Sequence, residues 1–112
     1  MSRRIDIAKA FYRAFASGDR EFVERHMAED FRFSAPPDPR LDRAGYFERC
    51  WPWAGKGQIF EFIRTLEVGD EVVVTYETDA GDGKKGRNTE ILHFTGDKID
   101  RAEVYFGWTL ET

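Results

Sequence analysis

The sequence predicts an α+β domain in which helices come first and an antiparallel sheet follows. Three observations carry this. Up to Cys50 most apolar residues recur every three to four positions, the period of a helix buried on one face. From Gln58 onward they alternate, the period of a strand. Two connections in that second half share one signature, Val68-Gly69-Asp70-Glu71 and Thr95-Gly96-Asp97-Lys98. Gly at the first central position supplies the positive φ that a type II′ hairpin requires.

The elements follow in order α-α-β-α-β-β-β-β. Ile5, Ala8, Phe11, Tyr12 and Phe15 mark a first helix from Ile5 to Ser17, which Gly18 can end in the left-handed conformation. Asp19 can cap a second helix over Arg20 to Ala28 that buries Phe22, Val23 and Met27. Phe31-Arg32-Phe33-Ser34 alternates like a short strand and stops at Pro36-Pro37. A third helix is expected from Leu41 to Cys50, capped by Asp38 or Asp42 and closed by Pro52. Four strands then run over Ile59 to Val68, Glu71 to Asp79, Gly86 to Thr95 and Lys98 to Trp108. The third connection, Ala80 to Lys85, is longer and rich in Gly. Without repeats or a linker, residues 1–112 read as one domain.

A two-residue turn sets register, and register puts named residues opposite one another. With Thr95 facing Lys98, Leu92 is expected to face Arg101, Glu90 to face Glu103 and Asn88 to face Tyr105. The other side carries Ile91 with Ala102, Thr89 with Val104 and His93 with Asp100. The earlier hairpin sets Arg64 against Thr75 and Phe62 against Glu77. One face would then collect Arg64, Thr75, Glu77, Asn88, Glu90, Arg101, Glu103 and Tyr105. The opposite face would collect Ile63, Val72, Val74, Tyr76, Ile91, Ala102, Val104 and Phe106. Like charges directly opposite on a sheet are normally destabilising, so the Glu90–Glu103 pair is the sharpest chemical signal. In a sheltered site one of the two carboxyls takes a raised pKa, leaving an acid beside a base. In the simpler alternative the polar face is solvated and Arg64 and Arg101 neutralise the glutamates.

Composition narrows the function classes. The net charge of −4 and the scattered basic residues argue against a nucleic-acid surface. The one basic cluster, Lys84, Lys85 and Arg87, falls at a hairpin loop. No apolar run reaches the roughly 18 residues needed to cross a membrane. Met1-Ser2-Arg3-Arg4 is basic but lacks the apolar stretch of a signal peptide, so a cytoplasmic address is expected. Ten Phe, four Tyr and three Trp beside 34% charged residues describe a packed interior in a solvated shell. Cys50, the only cysteine, lies in an aromatic helical stretch and reads as a small buried hydrophobe. Two histidines without carboxylate–histidine spacing point away from a metal site. His93 reads as a surface pair with Asp100, and no phosphate-cradling loop precedes a helix. Phe47 reads as core; Trp51 and Trp53 suit either the core or a pocket wall.

Ala16-Ser17-Gly18-Asp19 closing helix 1, and Met27-Ala28-Glu29-Asp30-Phe31 leading into a strand, resemble the SnoaL-like branch of the nuclear transport factor 2-like superfamily. So does Phe94-Thr95-Gly96-Asp97-Lys98-Ile99 followed by a last strand with Tyr105-Phe106. The resemblance covers nearly the whole chain. It implies a cone-like barrel in which the N-terminal helices close over a curved antiparallel sheet and leave a pocket at one end. Members include isomerases, cyclases, dehydratases, epoxide hydrolases and non-catalytic binding or dimerising modules, so fold alone does not assign a reaction. The resemblance further implies a homodimer through the sheet's outer face, with the polar face turned inward. Relatives place pocket residues on the last strand at the positions of Glu103, Tyr105 and Gly107. The isomerases' aspartate falls here at Ala35, and their helix 1 tyrosine at Phe11 with Tyr12 adjacent. Gly107 stands where cyclases and epoxide hydrolases often carry aspartate.

Two functions follow as expectations. One is a cofactor-free acid/base enzyme of isomerase, cyclase, dehydratase or hydrolase type on a small, hydrophobic, oxygenated molecule. Glu103 and Glu90 would be its catalytic carboxyls, Arg64 and Asn88 would polarise an oxygen, and Tyr12, Trp51 and Tyr105 would complete the binding site. The other is a ligand-binding or dimerisation module without chemistry. No cofactor, metal, nucleic acid or membrane enters either reading.

Overall fold

The computed structural model describes residues 2–36, 38–79 and 85–110. Helix α1 spans Arg3–Ser17 and α2 spans Arg20–Arg25, followed by strands β1 (Met27–Ala35) and β2 (Asp38–Asp42). Helix α3 (Arg43–Arg49) leads through a short 3₁₀ turn, Trp51–Trp53, into β3 (Ile59–Val68), β4 (Glu71–Asp79), β5 (Lys85–Thr95) and β6 (Lys98–Leu110). The six strands form one sheet in the order β2-β1-β6-β5-β4-β3, open at β2 and β3.

Local chemistry accounts for the helices. Ser2 caps α1 by accepting from Ile5 N, and Gly18 ends it at φ 79°, returning its N–H to the last carbonyls. Ile7, Ala8, Phe11, Tyr12 and Ala14 form its buried stripe. Asp19 caps α2 and Asp42 caps α3, the latter accepting from Gly45 N at 2.8 Å. The turns behave as expected too. Gly69 and Gly96 have φ 59° and 61°, and their aspartates are not left-handed, which defines the II′ pattern. The first turn of α1 ties down both hairpins: Arg4 Nη1 meets Asp70 at 2.9 Å, Arg4 Nε donates to Gly96 O, and Arg3 pairs with Asp97.

Several expectations need correction. Helix α2 stops at Arg25, because Met27 already belongs to β1, which runs well beyond the expected Phe31–Ser34. Strand β2 was hidden by Pro36 and Pro39, and it tolerates proline because it is an edge with one unpaired side. It takes Leu41 and Asp42, so α3 begins at Arg43. The sheet is mixed rather than purely antiparallel, since β1 pairs with β6 in parallel. That pairing joins segments distant in sequence and has no local signature. The Ala80 to Lys85 connection and Lys84 of the basic cluster lie outside the described residues, apart from Lys85 itself.

Register is the decisive difference. Thr95 faces Lys98 and Phe94 faces Ile99 as expected, but Asp100 is bulged, so His93 faces Arg101. The bulged carboxylate is held at 2.6 Å from His93 Nδ1 and 2.5 Å from Thr95 Oγ1. Every later pair moves by one: Leu92 faces Ala102, Ile91 faces Glu103, Glu90 faces Val104 and Asn88 faces Phe106. In the other hairpin Arg64 does face Thr75, but a bulge at Ile63 sets Phe62 against Tyr76 rather than Glu77. The two hairpins are also out of phase with the expected faces, since Thr75 pairs with Thr89.

The inner face therefore carries Val72, Val74, Tyr76, Glu90, Leu92, Phe94 and Ala102, all buried, with Phe31 of β1. Helix α1 covers it from the β3–β4 side, and α3 packs against β1 and β2. The outer face carries Arg64, Glu77, Arg87, Ile91, Arg101, Glu103 and Tyr105. The side turned inward is the apolar one, opposite to what the family resemblance implied.

Candidate functional site

Between the helices and the inner face lies a pocket of about 290 Å³. Helix α1 supplies Phe11, Tyr12 and Phe15, and the α3 segment supplies Tyr46 and Cys50. Phe31, Phe33 and Ala35 come from β1, Phe60 from β3 and Tyr76 from β4. Strand β5 contributes Asn88, Glu90 and Leu92, and β6 contributes Ala102, Val104 and Phe106. Strand alternation explains the spacing: every second residue of β5 and β6 points inward. The wall is aromatic and interlocked. Tyr12 lies 5.5 Å from Phe60 and 5.3 Å from Tyr76, while Tyr46 contacts Phe31 and Phe33.

Among the described residues, Glu90 is the one carboxyl in this lining. It is 8% exposed, and Tyr76 Oη donates to its Oε2 at 2.6 Å. Burial, which disfavours the charged form, pushes its pKa up to about 7, with Tyr76 and Tyr12 opposing the shift by favouring the carboxylate. The carboxyl is thus divided between acid and base near neutral pH. Burial also drives the hydroxyls of Tyr12, Tyr76 and Tyr46 upward, with the Glu90 charge adding to each, so they stay protonated donors. Tyr12 Oη is buried and makes no hydrogen bond of regular geometry, although it stands near enough to Glu90 to lower its pKa. A buried donor without a partner is costly, and a ligand oxygen would satisfy it.

Asn88 stands beside this pair, its Oδ1 accepting from Gly107 N at 3.3 Å. Gly107 is a second bulge in β6, between the Asn88–Phe106 and Arg87–Trp108 pairs. A Cβ there would lie 2.2 Å from the Arg87 carbonyl oxygen, so this position admits no side chain, aspartate included.

Of the residues expected at the site, Tyr12, Asn88 and Glu90 meet in the pocket. Glu103 does not face Glu90; the Asp100 bulge turns it and Tyr105 to the other side of the sheet. The expected carboxylate pair is dissolved. Arg64 also lies on the outer face, reaching Thr75 Oγ1 at 3.4 Å. Trp51 packs behind the wall against Phe15 and Phe47, each 5.7 Å away, and Trp53 is 68% exposed. Sequence reasoning missed Tyr76, which it placed on the face opposite Glu90. A signal existed: Tyr76 alternates with Val72 and Val74, the strongest apolar triplet of the sheet.

The open cone of helices over one sheet face, with an aromatic pocket beneath α1, is the nuclear transport factor 2-like fold. Within it the chain belongs to the SnoaL-like domain family, whose model matches residues 8–102. No curated protein matches it. Among solved structures, a nuclear transport factor 2-like protein of unknown function from Cytophaga hutchinsonii superposes with TM-score 0.78 at 19% identity, covering 96% of this chain and 92% of that one. An epoxide hydrolase from M. tuberculosis superposes with TM-score 0.74 at 18% identity, covering 93% and 82%. TerC, co-crystallised with polyporic acid, superposes with TM-score 0.73 at 23% identity, covering 95% and 92%. At these identities the likeness is one of fold. Among the described residues no helix is long and apolar enough to cross a membrane.

Proposed function

We propose that the pocket binds a small, largely apolar, oxygenated molecule and that Glu90 moves a proton on it without a cofactor. The observation that carries this reading is the Glu90 carboxyl, buried among aromatic rings and held by Tyr76 at 2.6 Å. A general acid or base works best with a pKa near the working pH, and burial brings Glu90 there. Glu90 as carboxylate would take a proton from carbon. Tyr12, a buried donor beside Glu90 without a hydrogen bond of regular geometry, would hold the oxygen on which charge develops, and Asn88 would help position it. The fold relatives that hydrolyse an epoxide or carry polyporic acid are consistent with oxygenated apolar ligands.

A reporter of proton abstraction tests this: 5-nitrobenzisoxazole, an apolar oxygenated probe. Its C–H proton passes to Glu90, the ring N–O bond breaks, and a coloured phenolate is released. The rate should rise with pH to a plateau above about 7, as the carboxylate form fills. Glu90→Gln should lower it roughly 100-fold or more. A rate equal in wild type and Glu90→Gln defeats the proposal.

The outer face also supports a homodimer. Leu66, Val68 and Trp108 are each more than half exposed there. Sedimentation should show the 13.0 kDa chain doubling in mass with concentration, and a constant monomer mass would refute it.

A further inference from the structure

A second cavity opens beside the first. It is a groove of about 390 Å³ lined by Ser34, Ala35, Pro36, Glu103, Val104, Tyr105 and Phe106. Ala35, Val104 and Phe106 also line the inner pocket, so the two spaces share a wall. The groove exists because β1 leaves β6. Their parallel pairing ends at Ser34–Glu103, while β6 runs on to Leu110. Beyond that point alternate residues of β6 serve the two spaces, Val104 and Phe106 the shared wall, Glu103 and Tyr105 the groove.

Among the described residues, the groove carries one carboxyl, Glu103. It is half-buried, and among the described residues it makes no hydrogen bond or ion pair. Two cations of this face are engaged with other groups. Arg101 lies 3.8 Å from Glu71, and Arg32 donates to the carbonyls of Phe31 and Asp30. A sheltered carboxylate with no partner attracts a donor-bearing, preferably cationic, group. Ser34 and Tyr105 add hydroxyls beside it.

Resting on the reading of the inner pocket as a binding site, we infer that pocket and groove form one site for an elongated ligand: an oxygenated apolar ring under α1, and a tail ending in a protonated amine at Glu103. The ring occupies the inner cavity of about 290 Å³ and the tail the groove. The tail passes over Phe106, whose 59% exposure fits a side chain at a mouth rather than in a core.

Three naphthols test this by fluorescence titration at pH 8: 2-naphthol, 6-butyl-2-naphthol and 6-(4-aminobutyl)-2-naphthol. All three should bind. The aminobutyl compound should bind about fivefold more tightly than the butyl one, the worth of a partly exposed charge-assisted contact. Glu103→Gln should bring the ratio of those two affinities to about one. Equal affinities in the wild type, or a preference that survives Glu103→Gln, overturns the groove inference while leaving the inner pocket standing. Failure of all three to bind overturns the inner-pocket reading and this inference with it.

Discussion

The two faces of the sheet are built from the same strands, yet they treat charge in opposite ways. On the outer face three acids are paired near water, Glu77 with Arg87, Asp100 with His93 and Glu71 with Arg101, while Glu103 at the groove has no partner among the described residues. On the inner face one carboxyl, Glu90, sits with no cation and is held by a tyrosine hydroxyl. Burial on the inner face, with no cation to offset it, lifts Glu90 to about 7. Among the described residues, a chain with 34% charged residues thus places one carboxyl in its pocket lining, where burial rather than a neighbouring charge sets its proton affinity.

The largest contrast between the faces lies in packing. Phe94 is 1% exposed on the inner face, and Tyr105 is 53% exposed on the outer one. Phe94→Ala should destabilise by about 3–5 kcal/mol, the transfer loss plus an unfilled cavity. Tyr105→Ala should stay within about 0.5 kcal/mol. Urea titration of both variants in dilute protein measures this. Equal losses would mean that the outer face is itself a buried core.

Next comes Glu90. Its folded pKa is raised, so the protonated form is favoured by folding and stability declines as pH climbs from the unfolded value through about 7. Above that range the charged carboxylate costs about 3 kcal/mol, at about 1.4 kcal/mol per pKa unit. Glu90→Gln keeps an acceptor for Tyr76 and carries no charge. It should be more stable than wild type by up to about 3 kcal/mol at pH 8 and equal at pH 4. Asp70 and Asp97, depressed by Arg4 and Arg3, act in the opposite sense, favouring the fold above their ordinary range. They are common to both proteins and cancel in the difference. A stability gap that does not widen with pH would place Glu90 in a polar setting and remove the contrast between the faces.

How far the fold was legible depended on how local each signal was. The stripe of α1, its Ser17-Gly18 end and the Gly69 and Gly96 turns are written in neighbouring residues, and they read correctly. The Arg64–Thr75 pairing was reached by counting back from a turn, and it held because no bulge intervenes. Counting failed across Asp100, since that bulge depends on His93 and Thr95 reaching the same carboxylate once the strands have met. The pairing of β1 with β6 and the short β2 are likewise tertiary. Glu90 was singled out for a like-charge pair that does not exist; its partner is a tyrosine on the adjacent strand. Gly107 looked like a missing aspartate, but the backbone there leaves no room for any side chain.

The smallest effect concerns the outer face at its best-made pair. Arg87 Nε donates to Glu77 Oε2 at 2.9 Å, its Nη2 reaches the same oxygen, and its guanidinium lies over Trp108 at 5.5 Å. Both charged side chains remain partly solvated, at 29% and 22% exposure. Water therefore screens the attraction, and a double-mutant cycle between Glu77→Gln and Arg87→Met should give a coupling of about 1 kcal/mol or less. That coupling should shrink in about 1 M salt, where the screening length falls to about 3 Å. The Glu90 effect should be nearly insensitive to the same salt, because its origin is lost hydration rather than a neighbouring charge. A salt response shared by both would show that the faces differ in degree of exposure only. A response confined to Glu77 and Arg87 separates a screened ion pair from a desolvated acid on opposite sides of one sheet.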